Sequence, residues 1–386
     1  MIYKMKNIAL TIVLAVTVAA CGSKKEIPEL LEGNYRAHTV SFEENKPVIN
    51  LEKDNLKEIL ILLHHRKSPG EIKKHYQLSD SIWNERINYL FGEGLIKKFD
   101  DSSFIPTFFV LDEENGASLK KFTDSLGAEM SGIAIDRLNK IREVYAKIPS
   151  FKNIPFDYVS MFILGGLIHD GAQLKNYQDQ FVKAFIPHRG GSNYYLSLIQ
   201  NEEANSSSPK IYETRYYNYP AFTLGSFAST VYERNIATYA TSELTKNFGK
   251  PAAESDSVYQ ITLLNELVWM SKSGGYKPPA KILDGFKRYG ILANGKSTIP
   301  VLSKVDRLRL DELSNVATQD IINYFENRQT LFVKWYLNSQ YREETSYKEW
   351  MIWVYKLITA KTIDVLIEKS YIKTLGGNTA SFILEK

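Results

Sequence analysis

At 386 residues the chain is long enough for two or three domains, each with its own core. Hydrophobic residues make up 44% and charged residues 24%, ordinary globular values that exclude wholesale disorder. The formal net charge is +4; removing Lys4 and Lys6 with residues 1–20 leaves 46 of the 48 basic side chains against 44 acidic ones, a net of +2. So small a field excludes strong electrostatic steering of nucleic acid or acidic partners. Cys21 is the only cysteine, which rules out an intramolecular disulfide and a cysteine-based zinc site. With 24 Tyr, 19 Phe and 5 Trp, the core and any binding face are expected to be aromatic.

Residues 1–20 carry Lys4 and Lys6, then an apolar run from Ile8 to Val18, then small residues, which are the three parts of a secretory signal. The run is too short to cross a bilayer, which needs about 20 apolar residues. Val18-Ala19-Ala20-Cys21 resembles the lipobox of bacterial lipoproteins. That resemblance implies cleavage before Cys21, a diacylglycerol on its thiol and acyl chains numerous enough to make anchoring effectively permanent. Gly22 is not the aspartate associated with inner-membrane retention, and Lys24 and Lys25 are not an acidic surface-export run. The resemblance therefore points to the periplasmic face of the outer membrane. Residues 21–50 read as a short tether and a β-hairpin turning at Glu44-Asn45-Lys46-Pro47. If flexible, residues 22–33 reach only about 20 Å, so the folded part is expected close to the membrane.

From residue 51 the periodicity turns helical. Asn55 and Glu58 are placed to cap a helix carrying Leu56, Ile59, Leu60 and Leu63. Ser68-Pro69-Gly70-Glu71 is a capping box with proline at the first helical position. Leu78-Ser79 opens a third helix, with Ile82, Ile87, Leu90 and Phe91 expected inward and Gly94 as its stop. Two short strands around "KKFDDSSF" follow. This order resembles the winged-helix family over residues 54–112. The family's DNA-reading use does not carry over, because residues 79–93 turn outward Asp80, Glu85 and Glu93 against Arg86 alone.

Residues 116–185 read as mostly helical, with an uncharged stretch from Val159 to His169 and neighbours expected as a buried helix. "NYYLSLIQNEEANSSSPKIYETRYYNY" at 193–219 alternates like two strands around a polar loop. The segment "KILDGFKRYGILANGKSTIPVL" at 281–302 then repeats the tail of the first module: helix, Gly290-Ile291-Leu292, glycine turn, strand. Its "NGKST" is read as a hairpin turn, since the glycine spacing of a phosphate loop is missing. A weaker echo with Gly376-Gly377 closes the sequence.

The expected fold class is α+β, mainly α, with small antiparallel hairpins, divided into signal 1–20, tether and hairpin 21–50, winged-helix-like module 51–115, helical middle with a Tyr-rich hairpin 116–255, second winged-helix-like module 256–320, and C-terminal helices and hairpin 321–386. The Tyr-rich segment offers the candidate partner or glycan surface: Tyr194, Tyr195, Tyr212, Arg215, Tyr216, Tyr217 and Tyr219. The six histidines show no metal-ligand spacing, and adjacent His64 and His65 are expected to point to different sides of a helix. No cofactor, metal or nucleic-acid partner is expected. The functional expectation is a lipid-anchored, non-enzymatic envelope scaffold or accessory subunit of a membrane-protein complex, held to the membrane through Cys21. Two alternatives stay open: an envelope hydrolase using the His169 and His188 neighbourhood with Ser192, and a winged-helix DNA binder whose leader is not a signal.

Overall fold

The computed structural model describes residues 25–42, 49–183, 186–201, 210–229, 233–273, 275–374 and 379–386. Cys21 and the rest of the leader, the turn at Glu44–Pro47, the polar loop 202–209 and the Gly376-Gly377 turn lie outside the described residues.

Helix α1 (Ile27–Leu31) leads into strand β1 (Asn34–Val40), followed by α2 (Leu56–His64), α3 (Pro69–Tyr76) and α4 (Asp80–Gly92). Strands β2 (Ile96–Lys98) and β3 (Phe104–Pro106) form a hairpin, and β4 (Phe109–Leu111) comes after it. The start of α3 is the expected capping box: Glu71 N donates to Ser68 Oγ at 3.3 Å and Ser68 N to Glu71 Oε2 at 2.8 Å. Ser79 caps α4 by accepting from Ile82 N at 3.3 Å. Asn55, expected to cap α2, does not; it sits at φ +58°, and its Oδ1 accepts from Arg86 instead. The inward face of α4 also differs from expectation. Trp83, Ile87 and Leu90 are buried at i, i+4, i+7, while Ile82 and Phe91 fall on the flanks of that stripe and face out.

The middle holds α5 (Glu113–Asp136), α6 (Leu138–Tyr145), α7 (Phe156–Ser160), which widens into a π-helix over Met161–Leu167, and α8 (Ala172–Tyr177), which does the same over Gln178–Val182. Strands β5 (His188–Arg189) and β6 (Ser192–Asn193) make a tight hairpin before β7 (Tyr195–Asn201), β8 (Tyr212–Asn218) and β9 (Phe222–Ser229). Helices α9 (Thr241–Glu243), α10 (Asp256–Lys272) and α11 (Ala280–Arg288) precede the hairpin β10 (Leu292–Ala293) and β11 (Lys296–Ser297) and strand β12 (Val301–Leu302). The remainder is α12 (Arg307–Ser314), α13 (Thr318–Glu326), α14 (Gln329–Leu337), α15 (Tyr341–Glu344), α16 (Tyr347–Glu368) and β13 (Thr379–Glu385). The protein is α+β and mainly α, as expected from the sequence.

Two sheets join distant parts of the chain. The first has the order β1-β7-β4, with β1 antiparallel to β7 (Asn34↔Asn201 to Val40↔Tyr195) and β4 parallel to it (Phe109↔Ser197). The second has the order β12-β13-β9-β8, with β12 parallel to β13 (Val301↔Ile383) and β13 antiparallel to β9 (Thr379↔Ala228). The expected Tyr-rich hairpin is therefore not formed, since β7 and β8 belong to different sheets. From Tyr195 to Ile199 every β7 residue is buried, so the strand needs a neighbour on both edges and layers on both faces. β8 turns instead onto β9 through Pro220. Likewise β1 takes β7 as its partner, and residues 49–55 contain no strand.

Three buried apolar clusters result: one around α2–α4 with β7, one around α10 and α11 with β9, and a larger one in the helical body. At the centre of the body runs α16, with Trp350, Trp353, Tyr355 and Ile358 fully buried. It passes close to α5 at Gly127, where a Cβ would meet Ile358 O at 2.6 Å; Thr362 Oγ1 donates to Gly127 O at 3.0 Å. The uncharged stretch after Val159 is buried as expected, and among the described residues no helix is long and apolar enough to cross a membrane.

Candidate functional site

Helix α2 stops at His64. His65 is its C-cap at φ −78°, ψ 14°, and Arg66 then turns to φ +58°. Within a helix, adjacent side chains diverge by about 100°. Because His65 has left helical geometry, both rings instead converge on Asp112, which sits between β4 and α5. His64 Nε2 lies 3.2 Å and His65 Nε2 3.8 Å from Asp112 Oδ2, and the rings meet edge to face with centroids 5.1 Å apart. On the other side of His64, Nδ1 lies 2.7 Å from Glu344 Oε2 at the end of α15. Tyr35 of β1 places its hydroxyl 3.5 Å from His65 Nε2. Arg66 closes the outer rim through Glu343 at 2.9 Å and Glu344 at 3.6 Å.

Burial by itself pushes the His64 imidazole down, but the Glu344 and Asp112 carboxylates outweigh it and raise its pKa to about 10. At His65 burial prevails and lowers the pKa to about 4, with the His64 charge adding to the effect. The Tyr35 phenol is held well above its ordinary value by burial and by Asp112 and Glu113. Two imidazoles of opposite protonation thus share one carboxylate. One ligand atom each from His64, His65 and Asp112 lies within 4.8 Å of the others, a set able to hold a metal ion. No local sequence signal marks Asp112 or Glu344: Glu344 lies 280 residues from His64.

Other buried charges are consumed internally. Arg189 Nη2 meets Glu349 Oε2 at 2.8 Å, and Nη1 donates to Tyr194 O at 2.7 Å, while Leu196 N donates to Glu349 Oε1 at 3.1 Å. Lys356 Nζ donates to Asp170 Oδ1 at 2.8 Å and Tyr212 O at 2.6 Å. Asp170 Oδ2 in turn accepts from Thr214 N and Oγ1. Both pairs tie α16 to strands, and their hydrogen bonds satisfy the backbone around them.

The expected Tyr-rich surface is only partly a surface. Tyr194, Tyr195 and Tyr212 are buried; β7 is covered on both faces, so neighbouring side chains there are enclosed alike. Tyr212 Oη donates to Asp364 Oδ1 at 2.8 Å. Arg215 pairs with Glu233, and Tyr217 Oη donates to the same carboxylate at 2.9 Å. Tyr219 packs beside Phe222, and Tyr216 is exposed. His169 is enclosed in the helical body, its Nδ1 donating to Leu164 O at 2.6 Å, and burial lowers its pKa to about 4. His188 lies on the exposed β5–β6 hairpin, where Nδ1 is 3.0 Å from Asn193 Oδ1. No hydrogen bond joins Ser192 to either histidine among the described residues, so no nucleophile–base pair is assembled there.

Two of the concavities among the described residues lie beside the two helix–hairpin regions. A cleft of about 380 Å³ opens beside Gly290 and Thr298, lined by Tyr158, Tyr239, Tyr289, Arg234 and Lys373 among others. The Arg234 guanidinium lies over the Tyr289 ring, 5.1 Å from its centroid, and pairs with Glu243. A groove of about 310 Å³ on α4 is lined by Asp54, Leu56, Ile82, Glu85, Arg86 and Tyr89. No family description, curated protein or solved structure matches the chain.

Proposed function

We propose that the chain is a membrane-anchored envelope lipoprotein acting as a non-enzymatic scaffold or accessory subunit of a membrane-protein complex. The lipobox-like residues ending in Cys21 support the anchor and its periplasmic-face location. The observation that carries the partner reading is the outer flank of α4, where Ile82 is 43% and Tyr89 44% exposed along one groove. Apolar side chains at i and i+7 on a free helix face, set among Glu85 and Arg86, suit a protein surface of mixed polarity. They do not suit phosphate: Arg86 is engaged by Asn55, and Lys73 by Asp80. The docking face is thus α4 rather than the Tyr-rich segment, whose Arg215 and Tyr217 are spent on Glu233.

The test has two arms. Wild type grown with a clickable fatty acid is expected to carry the label and Cys21→Ala to lose it; an unlabelled wild type retaining Met1 would overturn the anchoring. Cross-linking in intact envelopes is expected to give one stoichiometric product. Ile82→Glu with Tyr89→Glu is expected to abolish it while leaving thermal stability unchanged. Persistence of the product in that variant sinks the α4 docking face.

A further inference from the structure

We propose that His64, His65 and Asp112 bind a divalent cation of the zinc class, with Glu344 orienting the His64 ring from behind. The inference does not depend on lipidation or on the partner described above.

Four separate places in the fold deliver the groups: β1 brings Tyr35, the end of α2 and its C-cap bring His64 and His65, the β4–α5 junction brings Asp112, and α15 brings Glu344. A tetrahedral ion with bonds of about 2.0–2.1 Å holds neighbouring ligand atoms roughly 3.3 Å apart. The separations of 3.2 and 3.8 Å from Asp112 Oδ2 to the two Nε2 atoms bracket that spacing. The far nitrogen of His64 faces a carboxylate at 2.7 Å. A metal-bound imidazole usually donates its other N–H to such a group, which fixes its tautomer and raises its basicity. Two imidazoles and one carboxylate favour a borderline ion over calcium or magnesium, which prefer all-oxygen shells.

The competing account is a protonated His64 held between two carboxylates, complete without any ion. It explains His64 fully but gives His65 only the long 3.5 Å contact between its Nε2 and the Tyr35 hydroxyl. At 3.8 Å that ring is too far from Asp112 for a hydrogen bond, yet its Nε2 is turned toward the same oxygen that His64 uses. A cation between the three atoms accounts for both rings at once. The His65 side chain, 17% exposed, leaves a route from solvent and a place for a water as fourth ligand.

The experiment uses the purified full-length chain, stripped with chelator and titrated with Co²⁺ as an optical probe, then with Zn²⁺ in competition. One equivalent of Co²⁺ is expected to give the visible absorption of a tetrahedral site, displaced by one equivalent of Zn²⁺, and Zn²⁺ is expected to raise the melting temperature. His65→Gln, a partly exposed position that the fold can accommodate, is expected to remove the absorption and the thermal shift. Glu344→Gln is expected to keep the stoichiometry and weaken affinity about 10–100-fold. His75→Gln, on the exposed side of α3, is expected to change nothing. Absence of tetrahedral absorption in wild type, or its survival in His65→Gln and Asp112→Asn, overturns the site.

Discussion

The two helix–hairpin regions, 80–111 and 280–302, share a backbone plan and differ in what packs on it. Each helix ends at a left-handed glycine, Gly94 at φ +69° and Gly290 at φ +68°. In each, the next N–H reaches back to the helix, Leu95 to Leu90 O and Ile291 to Phe286 O, both at 2.9 Å. After each hairpin a threonine hydroxyl closes onto the glycine carbonyl: Thr107 at 2.6 Å and Thr298 at 2.9 Å. A short strand then runs parallel onto a strand supplied much later, β4 onto β7 and β12 onto β13. The flanks diverge. Beside Gly94 the β5–β6 hairpin fills the space, and Arg189 donates to Thr107 O while buried against Glu349. Beside Gly290 the corresponding flank is the open cleft, with Arg234 half in solvent over Tyr289. The glycine stop and threonine lock set the shape, and the arginine's surroundings decide whether that shape is core or surface.

The largest expected effect tests that contrast directly. Glu349→Ala strands a buried guanidinium and is expected to cost about 3–5 kcal/mol in urea unfolding, whereas Arg234→Ala removes an exposed pair and should cost less than about 1 kcal/mol. Replacing both members with Arg189→Met and Glu349→Leu is expected to recover most of the loss. Comparable costs for the two single variants would break the comparison.

Acid probes the body on which both regions rest. His169 is neutral in the fold, with a pKa near 4 against 6.5 when unfolded, so between those values only the unfolded chain takes up its proton. Stability should therefore fall as pH drops from about 6.5 to 4, by up to about 3 kcal/mol from this group. His169→Asn is expected to flatten that part of the stability–pH curve; an unchanged slope would remove His169 as its source.

Smaller effects sharpen the likeness. Gly94→Ala and Gly290→Ala should each cost about 1–2 kcal/mol, because a Cβ is strained in the left-handed region. Thr107→Val and Thr298→Val should each cost about 1 kcal/mol through the lost hydroxyl bond. Matched pairs in chemical denaturation support a shared plan, and a twofold disparity within either pair argues against it.

Features governed by neighbours in sequence were legible beforehand. The Ser68–Glu71 box, the Ser79 cap, the Gly94 stop and the Gly290 turn depend on residues a few positions apart. The inward face of α4 is not legible in the sequence because Ile82 and Trp83 offer two phases of the same period, and tertiary packing selects the tryptophan. Tyr194 and Tyr195 looked like a surface until β7 acquired partners on both edges. The histidine cluster was hidden for the same reason as the buried ion pairs: Glu344 and Glu349 reach partners 280 and 160 residues away, and nothing local announces such a meeting.

The central positions of β7 and β13 also govern how the molecule is put together. Apart from β8 and β9, neither sheet can zip up from an adjacent hairpin; β1 and β4 wait for β7, and β12 waits for β13. Such wiring closes long loops before any ladder rewards them, which slows folding. During that delay β1 and β9 present unsatisfied backbone edges, the state in which a chaperone or a second copy can intrude. Refolding is thus expected to be slow and to lose yield as protein concentration rises, however stable the finished molecule.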